Sequence, residues 1–473
     1  MQMVLPGLIS GEYMQTKRFV SLLCFLPAFF LLQLFASCSA EDEKSVKAET
    51  ISSLSRGKQS EQSWTVLVYM AADNNLESAA IKDFNELEDS VFADYANSNV
   101  LVLFDRNESF DQTNGNWSDT RLFCVKKDTN SLSKNIVSQR LDCPRLGLSA
   151  DEETELDMAD KDNLCGFLEF AAQKYPASHY ALIVWGHGTG WRSENASLQK
   201  ENRAFAIDCG SSSTNYMTLS DMRSAIEDSA VHLDVLAFDT CYGGIIESFY
   251  EFKDCADYII ASQSAVSGDG WNYTAFLDSV AASDCSAKTF CDSAVEQFKE
   301  QYKDFAMNGI AAVKTCAIEE LYAAFDSFFD AARLKIDCHE AAVLALERIF
   351  SQALIFRGGS FPCDSYVDIF SIASVLSKEF SLEQELNALK TAIENSIEKS
   401  FSSETACGIG VNFCVESAPS VPCSNGLHSQ AYIHESGAAS QSLFVRKNTS
   451  YVPSKSGEDS FLDRIFYKNF FAQ

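Results

Sequence analysis

Five short apolar runs lie in the first part of the chain, and each stops abruptly at polar residues. Thr65–Met70 (TVLVYM) is followed by Ala-Ala-Asp-Asn-Asn, and Val100–Phe104 by Asp105. Tyr180–Trp185 is followed by Gly186-His187-Gly188, Val235–Phe238 by Asp239-Thr240-Cys241, and Tyr258–Ala261 by Ser-Gln-Ser. Near-continuous runs of this length are what strands buried on both faces look like. Between them, Leu76–Phe92 carries apolar residues at helical spacing. Asp160–Tyr175 opens on an acidic cap and continues through Leu164, Phe167, Leu168 and Phe170, while Ser220–Asp228 opens on a capping Ser. Strands alternating with helices predict an α/β fold, a mostly parallel β-sheet sandwiched by helices. In such sheets the active site lies outside the carboxyl ends of the strands.

The second part is less regular. Residues 290–350 and 365–400 show helical spacing rich in Phe, Ala and Leu. Cys407–Cys414 (CGIGVNFC) fits one strand or two short ones, and residues 415–456, rich in Ser, Pro and Gly, fit loops. This divides the folded chain into a core over 64–310 and a mostly helical C-terminal region, 311–473, packing on it.

His187 and Cys241 each follow an apolar strand, 54 positions apart. A Cys and a His at strand ends can act as a dyad. The thiolate is the nucleophile, and it needs a lowered pKa or an adjacent base. The glycines flanking His187 let the backbone approach a substrate. Gly243-Gly244 allow a tight strand-to-helix turn, and a helix starting there would favour a thiolate and an oxyanion by its dipole. Taken singly, His187 fits a structural histidine and Cys241 a buried core thiol; the pair in matching contexts points to catalysis. The order and spacing also match caspases, but the caspase nucleophile signature is absent. The other histidines (His179, His232, His339, His428, His434) lack a partnered context.

Charge changes the picture next. With 37 Lys and Arg against 66 Asp and Glu, the net charge is −29, which repels a phosphate backbone and argues against a nucleic-acid partner. It suits a cationic substrate or a solvated surface. The 16 cysteines include no C-x-x-C and no zinc spacing, so no metal ligand set is expected. Most fit small buried residues, with a few disulfides open. The acidic stretch Asp151–Asp162 could hold calcium, although its spacing is not that of an EF-hand loop.

The N-terminus is a targeting segment. Lys17 and Arg18 precede an uncharged run from Phe19 to Phe35, then Ala36, Ser37 and Cys38. That is the order of a secretory signal. Its end, Leu34-Phe35-Ala36-Ser37-Cys38, resembles a loose bacterial lipobox. The resemblance implies a signal over 1–37, a lipid on Cys38, a tether over 38–63 and a bacterial cell-envelope location facing away from the cytoplasm. An uncleaved membrane anchor is the alternative, and Met14 could be the true start. Ordered structure is expected from Trp64.

Four segments then resemble the clostripain family of cysteine peptidases: WTVLVYMAADNNLE at 64–77, HYALIVWGHGTGWR at 179–192, RAFAID at 203–208 with LSDMRSAIED and LDVLAFDTCYGGIIES at 233–248, and IIASQSAVSGDGWNY at 259–273. The resemblance implies a caspase-like fold and a Cys241–His187 dyad, with Gly188 and Cys241 N–H groups as oxyanion donors. It implies cleavage after Arg or Lys, with Asp239 and Asp269 binding the cationic side chain. It also implies self-processing in the loop Thr189–Arg203, at Lys200 or Arg203. Thr240 stands where the family commonly has Ala, and Tyr242-Gly243 where it has Leu-Met. The alternatives are a non-catalytic binding lipoprotein on the same scaffold and a caspase- or legumain-like peptidase of other specificity.

Overall fold

In the computed structural model the five apolar runs are five neighbouring parallel strands. It describes residues 63–95, 98–107, 110–130, 135–190, 205–208, 215–357, 365–413, 444, 460–462 and 464–465. The chain begins with β1 (Trp64–Ala72), α1 (Glu77–Asp89), β2 (Asn99–Arg106), β3 (Thr120–Cys124) and β4 (Gln139–Arg140). It continues with α2 (Lys161–Lys174), β5 (His179–Trp185), the ribbon β6 (Phe205–Asp208) and β7 (Asn215–Met217), and α3 (Leu219–Ser229). Then come β8 (Leu233–Asp239), α4 (Ile246–Glu251), β9 (Ala256–Ala261), α5 (Tyr273–Ala281) and α6 (Ala287–Tyr302). The last part holds β10 (Gly309–Lys314), α7 (Ile318–Lys335), α8 (His339–Gln352), β11 (Ile355–Arg357) and β12 (Ser365–Asp368). It closes with α9 (Ile369–Phe380), α10 (Glu383–Ser396), β13 (Ile397–Ser402) and β14 (Gly410–Asn412).

The main sheet runs β13-β10-β9-β8-β5-β1-β2-β3-β4. Strands β2, β1, β5, β8 and β9 are parallel, and both flanks are antiparallel. Every residue of β1 is buried. Because side chains alternate across a strand, Leu67, Tyr69 and Ala71 enter one apolar layer and Val66, Val68 and Met70 the other. The first layer is closed by α2, α3, α4 and α7 to α10, the second by α1, α5 and α6. That two-sided burial is why these strands read as unbroken apolar runs.

Residue 310 lies within β10, and the chain beyond it holds strands as well as helices. Its strands β10 and β13 extend the main sheet, while β11, β12 and β14 form a small sheet of their own. Apolar period alone hid β10 and β13, because each abuts a helix-like run and β13 (IEKSFS) is a part-exposed edge. The cap of α3 is Thr218, whose hydroxyl accepts from Asp221 N, and not Ser220. The Asp160 cap of α2 is as expected.

The signal segment, Cys38, most of the tether and most of 415–456 lie outside the described residues, and β1 begins at Trp64 as expected. Among the described residues no helix is long and apolar enough to cross a membrane. Ten cysteines there, Cys241 among them, are free thiols. One buried ion pair ties β2 to the start of α1: Arg106 Nε donates to Glu77 Oε1 at 2.8 Å, with both side chains fully buried. Removing one partner would strand a buried charge, which is strongly destabilising.

Candidate active site

Parallel register brings the two candidate catalytic residues together. Trp185 of β5 pairs with Asp239 of β8, so His187 and Cys241 each leave the sheet two residues past one register point. Gly186 N also approaches Asp239 O, at 3.4 Å. Gly188 lies against the nucleophile turn. A Cβ at Gly188 would stand 2.6 Å from Cys241 O and 2.7 Å from Thr240 Cβ, so only glycine fits.

Cys241 is half-buried. Its Sγ accepts from Val266 N at 3.3 Å and lies 3.7 Å from Val266 O. Burial pushes its thiol up, offset in part by the Val266 N–H. The lowered-pKa route to a thiolate is therefore not built into the resting site, and the proton needs an acceptor. The expected dipole is also displaced, because α4 is one short helix beginning at Ile246, five residues past Cys241. The sharp turn is made at Tyr242, whose φ is +58°, and not at Gly243 or Gly244. A non-glycine residue in that region is held by its surroundings. Here Tyr242 N donates to Ser264 O at 3.0 Å, and the ring stacks on Tyr366 of β12 at 5.0 Å. The Tyr366 hydroxyl donates to Thr189 O, beside the histidine. The small C-terminal sheet thus touches both halves of the site, a link between segments far apart in the chain.

His187 Nε2 lies 2.8 Å from Asn75 Oδ1, in the turn after β1. Asn75 was not singled out from the sequence; its signal was the Asn-Asn pair after the first apolar run. His179 and His232 are partnered after all, His179 Nδ1 with Asp234 at 2.7 Å and His232 Nε2 with Asp257 at 3.3 Å, both away from the site. The Asp234 contact raises the His179 pKa.

The two candidate pocket acids differ sharply. Asp239 is buried, and its Oδ2 accepts from Trp271 N at 3.2 Å and Tyr273 Oη at 2.9 Å. Burial pushes its carboxyl up to about 7. Asp269 is exposed and pairs with Lys82 at 3.2 Å. A further acid close to Asp239 is Asp83, a fully buried residue of α1 whose Oδ2 accepts from Trp185 Nε1 at 2.8 Å. Its signal was an Asp inside an apolar helix stripe, between Ala80 and Phe84. Lys200 and Arg203 lie outside the described residues.

Three carboxylates could hold a divalent cation. Oxygens of Asp73, Asp105 and Glu155 all lie within 4.8 Å of one another. Glu155 comes from the acidic stretch noted in the sequence.

The comparisons with known proteins bear on this geometry. The model of the clostripain family matches residues 68–463. The chain belongs to the clostripain family. Clostripain from Hathewaya histolytica is 28% identical over 237 residues, 48% of this chain and 43% of that protein, so the match spans less than half of the relative's length. The fold is shared with a secreted C11 cysteine protease from Bacteroides thetaiotaomicron, solved with an irreversible peptide inhibitor. That match has a TM-score of 0.55 at 21% identity, over 80% of this chain and 98% of that one. An inactive zymogen C11 protease from Parabacteroides distasonis matches with a TM-score of 0.54 at 20% identity, over 75% and 92%. The caspase-like fold expected from the sequence is thus the fold of this clostripain-family chain.

Proposed function

We propose that this clostripain-family protein is a cysteine endopeptidase that cleaves after Arg or Lys. The carrying observation is the convergence of His187 and Cys241 from adjacent parallel strands, with Gly188 pressed on the Cys241 backbone. In this reading His187 takes the Cys241 proton, the thiolate attacks the scissile carbonyl, and His187 returns the proton to the leaving amine. Asn75 holds the ring. The N–H groups of Gly188 and Cys241 stabilise the oxyanion. Asp239 meets the cationic side chain, because a buried carboxylate favours a charged partner over an apolar one. Asp269 remains a candidate for the outer part of that pocket.

Cleavage rates on peptides differing only before the scissile bond test the specificity. The chain from residue 39 onward should favour Arg and Lys over Asp, Asn and norleucine. Equal rates on all five would remove the reading. The order of basic pair, apolar run and Cys38 supports a lipid anchor in a bacterial cell envelope. The protein should partition into the detergent phase, and Cys38→Ser should move it to the aqueous phase; unchanged partition would count against the anchor. Asp73, Asp105 and Glu155 are the residues that would hold a divalent cation such as calcium.

A further inference from the structure

The family resemblance implies a cation pocket with one acid from the nucleophile strand, Asp239, and one from the following loop, Asp269. The structure puts a third, Asp83, behind the first. We propose that Asp83 and Asp239 form a paired acid that carries one proton when the pocket is empty and gives it up when a substrate cation binds. This rests on the Arg/Lys reading of the same site and names the group that sets its charge.

The geometry is specific. Gly270 has φ +59°, and a Cβ there would stand 2.6 Å from Asp83 Oδ2 and 3.2 Å from Asp239 Oδ2. Two carboxylates from different elements, α1 and β8, therefore flank one backbone point, which only glycine leaves open. Both are buried. Among the described residues, Asp83 Oδ1 is buried with no hydrogen-bond partner. An ionised carboxylate in that position would leave a charge unpaired in a low-dielectric site, which is costly. A protonated one would not.

The other charged groups facing the pair do not neutralise it. On α1, Glu86 adds negative charge and accepts from Tyr273 N at 2.9 Å. Lys82 sits outside, half-exposed and engaged by Asp269 and Glu86. Trp185 on β5 donates to Asp83, and Tyr273 on α5 donates to Asp239. Tyr302 on α6 turns its hydroxyl to Gly270 O at 2.6 Å. Burial first, then the Asp239 charge, holds the Asp83 carboxyl well above the usual carboxylate range. Two carboxylates flanking one backbone point disfavour each other's ionisation, and a cation beside them relieves it. The step balances: the pair loses one proton to water, and the bound cation takes over its charge.

Benzamidine, a cation at every pH used, is the probe. Its binding is measured by calorimetry at about pH 8.5 in two buffers of different ionisation enthalpy, where an unperturbed imidazole is already neutral. The wild type should release close to one proton per molecule bound. Asp83→Asn keeps the acceptor for Trp185; it should release none and bind about tenfold or more weakly, the expected loss of one charge-assisted contact. Asp239→Asn should lose most binding. Binding by wild type without proton release overturns the proposal, as does an Asp83→Asn protein that releases the same proton. The wild-type count stands even if a variant fails to fold. No binding at all, with no preference for Arg peptides, is a failure of the specificity reading instead.

Discussion

Cys241→Ala is expected to abolish peptide hydrolysis, because the covalent step has no other nucleophile in place. The fold should survive. Cys241 is half-buried just past β8, and its Sγ hydrogen-bonds to the Val266 backbone at the margin of the core, so Ala leaves little unsatisfied there. Thermal unfolding within a few degrees of wild type would separate lost chemistry from lost structure. His187→Ala should lower the rate by at least ~10² if it is the acid–base group. Its loss should be larger than in a site with a preformed thiolate, since burial pushes the Cys241 thiol up. Asn75→Ala should cost less, because Asn75 acts only through the ring it holds. The same Cys241→Ala protein tests self-processing. Wild-type chain should yield two associated fragments, and N-terminal sequencing should place the cut after Lys200 or Arg203. The Cys241→Ala chain should stay whole until active enzyme is added. Full hydrolysis by either dyad variant would end the assignment, and an uncut, fully active wild type would end the processing requirement.

Much of the site was legible because it is built from strand ends. A strand buried on both faces must be apolar throughout, so the first polar residue after it announces the carboxyl edge. That is how His187 and Cys241 stood out, while Asp239 took its role from the family resemblance. What the pattern could not supply was contact between distant segments. Tyr366 reaches the nucleophile turn through a small sheet whose strands are three or four residues long, too short for any period to register. Asp83 sits on the apolar side of α1, where helical spacing assigns core residues and gives no reason to look for an acid pair. Asp269 was named from the family resemblance, while Asp83 becomes visible only once α1 packs on the sheet. Strand β10 and the edge strand β13 were missed because their short runs merge with neighbouring helices.

Asp239→Asn is expected to lower kcat/KM for Arg peptides by ~10² or more, chiefly through KM, as a charge-assisted pair is lost. A competing role exists. The Asp239 carboxylate also fastens the loop after β9, through Trp271 N and Tyr273 Oη. Asn can still accept from both, so the substitution removes charge while keeping most of the tether. If Asp239 only fastened the loop, the variant would lose some stability and keep its preference for Arg over norleucine. An unchanged preference therefore rejects the pocket role. The pH dependence separates the two further. In the wild type, Asp239 is pushed up to about 7 by burial, so it is charged above that pH and neutral below it. Rates on Arg peptides relative to citrulline peptides should fall as pH drops through about 7, and be highest on the alkaline side. Taking the ratio cancels the titration of the dyad, which acts on both substrates alike. In Asp239→Asn the ratio should be small and flat across that range. A wild-type ratio that does not change with pH would mean that the charge meeting the substrate cation is carried by some group other than Asp239.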